Sequence, residues 1–192
     1  MPADSDEAGS GVPTIQVILG STRQGRFGDR VAEWFVAETR DRTDASIELV
    51  DLRDWPLPFF DQPVPPMAGD YADPAQRRWG EKVAAADGFV IVTPEYNHGY
   101  PAVLKNALDH LYAEWVGKPV GFVGYGGPGG GIRAVEQLRQ VVIELGMLPT
   151  RAQVAIPRVY QAFEAGPPDA SHLRRSAAGV LDEVVALARR LR

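Results

Sequence analysis

The sequence predicts an α/β protein built on a doubly wound, five-stranded parallel sheet with helices on both faces. Short apolar runs alternate five times with segments whose apolar residues recur at helical spacing. The runs are rich in Val and Ile, as is typical of parallel strands that are buried on both faces. Strand–helix alternation also returns the chain to the same edge of the sheet each time. We therefore expect the strand order 2-1-3-4-5, with a ligand site at the topological switch point between strands one and three.

The first half of the chain supplies two strands and two helices. The first helix carries Val31, Trp34 and Phe35 at helical spacing on one face. Asp73 and Pro74 begin the second helix, because Asp caps a helix well and Pro suits its first turn. The predicted strands are Thr14–Leu19 and Ile47–Leu52.

The second half supplies three strands and three helices. Pro101 opens the third helix, and Gly146 ends the fourth, where a left-handed residue is favoured. The predicted strands are Phe89–Val92, Lys118–Tyr125 and Arg151–Ile156, and the closing helix is Ser171–Arg192.

Composition limits the function. The 192 residues suit one domain over residues 13–192, preceded by a polar leader over residues 1–12 that we expect to be disordered. A net charge of −5 argues against nucleic acid and anionic membranes as partners. The chain has neither a long apolar run nor a signal-peptide pattern, so a cytoplasmic location is expected.

Cysteine is absent, which excludes thiolate catalysis, cysteine-ligated zinc and iron–sulfur clusters on protein thiolates. The three histidines are widely separated, at positions 98, 110 and 172, so no metal site is predicted. Any redox chemistry would therefore require an organic cofactor.

The first loop whose residues suit ligand binding is GSTRQGR, residues 20–26, between the first strand and the first helix. Backbone N–H groups at a helix N-terminus attract anions, and Ser21, Arg23 and Arg26 add donors that match phosphate geometry. The alternative is a tight turn with a Ser cap and two solvated arginines. Because no Gly-Lys-Ser/Thr follows, this is not a nucleoside-triphosphate loop.

The second loop is PEYNHGY, which follows the third strand. Tyr96 offers an aromatic face and Asn97 an amide edge, both suited to a planar heterocycle. His98 lacks an evident partner, so the sequence favours a structural or hydrogen-bonding role over that of a general base. The simpler alternative is a βα turn in which the tyrosines merely pack.

The third loop is GYGGPGGG, which follows the fourth strand. Its G-x-G-x-x-G spacing is a weak dinucleotide signal, because that fingerprint belongs after the first strand of such a fold. It suits a glycine-rich wall for a flat ring, or a flexible surface loop. All three loops should open on the same edge of the sheet.

Together, GSTRxGR and PEYNHGYPAVLKNALDH resemble the NAD(P)H-dependent FMN reductase family of quinone, azo-dye and chromate reductases. The resemblance spans Thr14 to about Ala155 and implies a flavodoxin-like fold, tightly bound FMN and assembly into homodimers or homotetramers. Many relatives read G-S-x-R-x-x-S-x-N, whereas this chain has Arg26 and Gly28 at the last two fixed positions.

The resemblance also implies a set of cofactor-binding residues and no catalytic residue apart from FMN. Ser21, Arg23 and Arg26 would hold the phosphate. The flavin ring would be lined by Pro94, Glu95, Tyr96 and Asn97, with His98 and Gly99 nearby and Tyr125, Gly126 and Gly127 as the remaining wall.

The function expected from the resemblance is hydride transfer from NADPH or NADH through FMN to a quinone, flavin or similar small acceptor, by a ping-pong mechanism. Two alternatives stay open: a non-enzymatic flavodoxin-type electron carrier, and a protein that binds a phosphorylated ligand. The apolar loop Trp55–Pro66, with Phe59 and Phe60, either covers the site or packs across a dimer interface.

Overall fold

A five-stranded, wholly parallel sheet forms the centre of the computed structural model, which describes residues 11–168 and 170–192. The spatial order is β2-β1-β3-β4-β5, so the predicted fold class and strand order are confirmed. Most of the predicted leader, residues 1–10, lies outside the described residues. The strands are β1 (Thr14–Leu19), β2 (Ser46–Asp51), β3 (Gly88–Pro94), β4 (Pro119–Tyr125) and β5 (Leu148–Ile156).

The helices follow the strands as predicted, with one addition. They are α1 (Gly28–Ala37), α2 (Pro74–Ala84), α3 (Ala102–Asp109), α4 (Ile132–Glu144), α5 (Val159–Ala162) and α6 (Ser171–Leu191). The Asp73 carboxylate caps α2 by accepting hydrogen bonds from the N–H groups of Ala75 and Gln76, at 2.6 and 3.0 Å. The four-residue α5 was not predicted, since so short a helix leaves no periodic pattern.

β5 begins three residues earlier than the predicted Arg151. Its first residues include Pro149, which cannot donate to a ladder, and this disguises the strand in the sequence. The strand tolerates the proline because β5 lies at the edge of the sheet, where only one neighbour must be paired.

The core consists of two apolar layers, one on each face of the sheet. Every residue of β3 is buried, as expected for a central strand covered on both sides. Helices α1 and α6 cover one face. Helices α2, α3 and α4 cover the other. In the described part of the chain, no helix is both long and apolar enough to cross a membrane.

The carboxyl ends of β1, β3 and β4 lie side by side and fix where the three polar loops emerge. The Gly20 N–H donates to the Val92 carbonyl at 2.9 Å, which joins the end of β1 to that of β3. The Glu95 N–H donates to the Tyr125 carbonyl at 3.0 Å, which joins β3 to β4. The predicted convergence of the three loops is thus present in the structure.

Candidate functional site

A cleft of about 170 Å³ opens at this edge of the sheet. Residues from all three loops and from α5 line it. A second hollow of about 270 Å³ shares Gly126, Gly127 and Tyr160 with this cleft, so the two hollows adjoin, and we call them together the trough. The cleft is lined by Arg23, Phe27, Pro94, Glu95, Tyr96, Tyr125, Gly126, Gly127, Val159 and Tyr160.

The turn between β1 and α1 meets the loop after β3 across this cleft. The Ser21 hydroxyl is buried and lies 2.8 Å from the Tyr96 hydroxyl, although the two residues are 75 positions apart. Arg23 is exposed beside them. The hydroxyl of Tyr96, and then that of Tyr160, raises the pKa of Arg23 above its ordinary value. The cleft therefore carries a permanent positive charge at this end.

Arg26 lies in the same turn, but its guanidinium points into the protein. It bonds to the Ser21 carbonyl and to the carboxylates of Asp29 and Asp51, and its side chain is 1% exposed. These bonds use all five N–H donors of the guanidinium. The sequence suggested a phosphate contact for Arg26. In the structure its guanidinium instead binds Asp51 and so holds the turn against the end of β2.

The loop after β3 forms a two-residue hairpin. Tyr96 and Gly99 exchange backbone hydrogen bonds of 2.8 and 2.9 Å, and the residues between them, Asn97 and His98, have φ of 50° and 72°. Positive φ at both central positions defines a type I′ turn, which Asn tolerates better than His. The turn presents the Tyr96 ring to the cleft. Asn97, His98 and Gly99 complete the hairpin but are not among the residues that line the cleft.

Glu95 ties this hairpin to the start of α4. Its carboxylate accepts from the Arg133 side-chain Nε at 2.7 Å and from the Arg133 backbone N–H at 3.2 Å. Burial would raise the pKa of Glu95, but the bonds from Arg133 outweigh burial and hold that pKa below its usual range. Glu95 thus lines the cleft, while its carboxylate ties the hairpin to α4.

The glycine-rich loop after β4 forms a bare wall whose shape depends on Gly131. That residue has φ of +84°, and a Cβ there would lie 2.4 Å from the backbone N of Tyr125. By contrast, a Cβ at Gly127 would have no atom within 4 Å, so Gly127 faces open space. The glycine run therefore serves two purposes: close packing under the loop and an open backbone surface on the cleft.

An aromatic cluster that the sequence did not reveal closes the far end. Phe27 packs edge-on against Tyr160 and Phe163, with ring centroids 5.0 and 5.2 Å apart. Val159 and Tyr160 belong to the unpredicted α5, directly after the carboxyl end of β5. Their position after β5 could have identified them as site residues, since ligands in such folds lie outside the carboxyl ends of strands.

The loop Trp55–Pro66 is fastened to α3 rather than spread over the cleft. Asn106 donates to the Pro58 carbonyl at 2.8 Å and accepts from the Phe60 N–H at 3.0 Å. His110 bonds to the same carbonyl at 2.9 Å through Nε2. No residue of the loop lines the described cleft. Of its two predicted roles, covering the site has no support here, and packing across an interface stays a prediction.

Comparison with known proteins decides the family. The model of a family described as NADPH-dependent FMN reductase matches residues 13–161. The chain belongs to this family. A Schizosaccharomyces pombe protein named NAD(P)H-dependent FMN reductase is 47% identical over 150 residues, which cover 76% of this chain and 74% of that protein. The resemblance predicted from the two motifs is confirmed.

Two further relatives extend the comparison. A Burkholderia protein named 2-hydroxy-1,4-benzoquinone reductase is 36% identical over 120 residues, covering 62% of this chain and 57% of its own. The structure of FerB, a flavoenzyme NAD(P)H:(acceptor) oxidoreductase from Paracoccus denitrificans, matches with a TM-score of 0.72 and 23% identity, covering 94% and 99%. The latter shows a shared fold. As a family member the protein is an oxidoreductase that uses FMN and NAD(P)H, as the sequence predicted.

Proposed function

We propose that the cleft holds FMN with its phosphate at the turn between β1 and α1 and its ring between the hairpin and the glycine wall. The observation that carries this proposal is the 2.8 Å approach of Ser21 and Tyr96, because it joins an anion-binding turn to an aromatic platform. The residues present fit FMN. A cationic end suits the phosphate, and a backbone wall without side chains suits a flat ring.

At the phosphate end, Ser21 and Arg23 are the proposed ligands. Their hydroxyl and guanidinium donate from the N-terminal side of α1, where the helix dipole and free N–H groups also favour an anion. The ion pairs of Arg26 with Asp29 and Asp51 supply the rigidity of the turn. We therefore assign Arg26 to positioning the turn and Arg23 to direct contact.

At the ring end, Tyr96, Pro94 and the backbone of Glu95 form one proposed wall. Tyr125, Gly126 and Gly127 form the other. Asn97, His98 and Gly99 would lie at the rim, where the polar edge of the ring and an incoming substrate meet. The Glu95–Arg133 ion pair ties the first wall to the start of α4, directly after the glycine-rich loop, and this favours the preorganisation that a planar ligand requires.

FMN held by these residues would supply the redox chemistry, namely hydride acceptance from NAD(P)H and two-electron reduction of an acceptor that would use the same position afterwards. The chain's own residues bind and orient, and Arg23 keeps its charge throughout the physiological pH range. None of the lining groups is a nucleophile or a poised general base. Specificity for acceptors is accordingly expected to follow from the shape of the trough.

A small, flat, electron-poor acceptor such as a quinone or a free flavin fits this arrangement best. Tyr160 and Phe27 extend the aromatic surface beyond the hairpin, where such a ring could stack. The name of the Burkholderia relative, a benzoquinone reductase, supports the quinone class.

The ping-pong cycle is tested by steady-state kinetics. Initial rates measured against NADPH at several fixed quinone concentrations should give parallel double-reciprocal lines, since the two substrates alternate in one place. Intersecting lines would mean that both bind together and would remove the ping-pong proposal. Anaerobic NADPH should also bleach the visible absorbance of the loaded protein directly, which a flavodoxin-type carrier would not undergo.

We also propose that the protein assembles into homodimers or homotetramers through the loop Trp55–Pro66. Phe59 is 79% exposed, whereas Phe60 packs edge-on against His110 with centroids 5.4 Å apart. A Phe59→Ala variant should therefore weaken assembly and leave the fold intact, as measured by light scattering at decreasing concentration. An unchanged mass at every concentration would remove this loop from the interface.

A further inference from the structure

The trough continues beyond the proposed flavin position, and Arg158 lines its outer part. The second hollow, of about 270 Å³, is lined by Gly126, Gly127, Arg158, Tyr160 and Gln161. Arg158 and Gln161 line this hollow and not the first cleft, in which FMN is proposed to bind. Because the two hollows adjoin, a molecule that reaches the flavin ring can extend into the second hollow and meet Arg158.

Hydrogen bonds hold the backbone of Arg158 against the glycine-rich loop. Its N–H donates to the Gly127 carbonyl at 2.8 Å, and the N–H of the next residue, Val159, donates to the Gly126 carbonyl at 3.0 Å. The Arg158 carbonyl accepts from the Gln161 N–H at 2.9 Å. The base of the Arg158 side chain is therefore fixed relative to the wall that both hollows share.

The backbone conformation of Arg158 is one that arginine rarely adopts. Its φ is 47° and its ψ is 52°, in the left-handed region, where a Cβ is disfavoured. Among the described residues, the only other non-glycine residues with positive φ are Asn97 and His98, in the hairpin beside the cleft. Such conformations reduce stability and cluster at ligand sites. Glycine would suit this backbone better, so an arginine here indicates that its side chain has a use.

The guanidinium of Arg158 has no partner in the part of the chain that the structure describes. The residue is exposed, and no carboxylate or carbonyl of residues 11–168 and 170–192 bonds to its side chain. Arg26 is the contrast, since groups of the protein take all of its donors. The donors of Arg158 are therefore available to a ligand, and the fork of a guanidinium matches the oxygen atoms of a phosphate.

The nicotinamide cosubstrate brings phosphates to this place. Hydride transfer requires the nicotinamide ring to lie on the flavin, so the remainder of NAD(P)H must lie outside the flavin-binding cleft. Both NADH and NADPH carry a pyrophosphate there, and NADPH carries an additional phosphate on its adenosine ribose. The protein has a net charge of −5, so attraction of this anionic part depends on cations beside the trough.

We propose that Arg158 binds a phosphate group of NAD(P)H while the nicotinamide lies on the flavin. This proposal rests on the proposed function and adds a cosubstrate-binding residue to it. Arg158 would bind and orient the cosubstrate and would take no part in the transfer of the hydride. Arg23 would then serve the phosphate of FMN, and Arg158 a phosphate of the molecule that reduces it.

The test is Arg158→Gln, which removes the charge and keeps a long polar side chain. FMN-loaded wild type and variant are mixed anaerobically with NADPH, with NADH or with N-benzyl-dihydronicotinamide, an uncharged hydride donor without phosphate, and bleaching of the flavin is followed. The second-order rate constant for NADPH should fall about tenfold in the variant, as expected for one lost charge-assisted hydrogen bond. The rate constant for the uncharged donor should stay the same.

The two nicotinamide nucleotides identify which phosphate is bound. A loss confined to NADPH would assign Arg158 to the additional ribose phosphate, and equal losses for NADPH and NADH would assign it to the pyrophosphate; either result supports the proposal. Unchanged rates with both nucleotides would overturn it. An equal loss with the uncharged donor would also overturn it, because the effect would then lie on the flavin.

A readout without turnover is calorimetric titration of the FMN-loaded protein with NADP⁺. Its affinity should fall in Arg158→Gln by about the same factor as the rate constant for NADPH, since the phosphates of the two molecules are identical. Unchanged affinity would contradict direct contact between Arg158 and a phosphate.

A matched variant and a flavin titration complete the experiment. Arg151→Gln removes the same charge from an exposed position within β5, outside the trough, and should leave the rates unchanged. An equal loss there would reduce the effect to net charge and overturn the proposal. FMN affinity should be the same in wild type and Arg158→Gln, and a loss in the variant would place Arg158 on the flavin instead. A wild type that binds no FMN would refute the proposed function itself.

Discussion

The clamp formed by Arg26 and Asp51 leads to a prediction about both stability and cofactor affinity. Asp51→Asn removes one of two carboxylates that face a guanidinium whose side chain is 1% exposed. Breaking a buried ion pair completely costs about 3–5 kcal/mol. Asp29 remains as a partner, and the Asp51 side chain is 25% exposed, so we expect a loss of about 2 kcal/mol.

The measurement is urea unfolding of the flavin-free protein, because bound FMN would add its own stabilisation. Asp44→Asn is the matched control, since Asp44 also pairs with an arginine but in a more exposed place, where such pairs contribute about 0–1 kcal/mol. FMN affinity should fall about tenfold in Asp51→Asn only, because a loosened turn misplaces its donors. Equal stability losses in the two variants would refute the buried clamp. Unchanged FMN affinity in Asp51→Asn would show that the clamp does not position the phosphate-binding residues.

Two further predictions concern the walls of the cleft. Glu95→Gln should cost about 1 kcal/mol at pH 7, because the charge on its bond to Arg133 is lost. Since the pKa of Glu95 is lowered on folding, this difference should be fully present above the ordinary glutamate pKa of 4.5 and vanish as the pH falls through the folded pKa; a difference independent of pH in acid unfolding would contradict the ion pair. Gly131→Ala should cost about 2–4 kcal/mol in urea unfolding, because its Cβ would lie 2.4 Å from backbone and its φ is positive. Gly127→Ala, with no atom within 4 Å, should stay within about 0.5 kcal/mol of wild type, and similar losses in both would disprove the packing role of Gly131.

The order of strands and helices could be predicted because it depends on local sequence patterns. The alternating runs specify buried strands and amphipathic helices, and the Asp73–Pro74 pair marks the start of α2 at the observed residue. The convergence of the loops after β1, β3 and β4 follows from parallel strands alone. The distant pair of Ser21 and Tyr96 could therefore be anticipated at the level of loops.

The rest required coordinates, because it depends on which partner each polar group selects. Arg23 and Arg26 look equivalent in the sequence. Arg23 nevertheless lines the cleft, whereas all N–H donors of the Arg26 guanidinium bond to carboxylates and a carbonyl. The carboxylate that decides this, Asp51, lies 25 residues away at the end of another strand. Likewise, Glu95 gives no sign in the sequence that its carboxylate is tied to Arg133 on α4.

On the proposed function, the turn after β1 holds FMN by its phosphate. Its most direct test is an equilibrium titration of the wild-type protein with FMN and with riboflavin, followed by flavin fluorescence. Two or more charge-assisted hydrogen bonds from Ser21 and Arg23 should make FMN at least about a hundredfold tighter. Equal affinity for the two flavins would contradict the account, since the phosphate would then contribute nothing to binding.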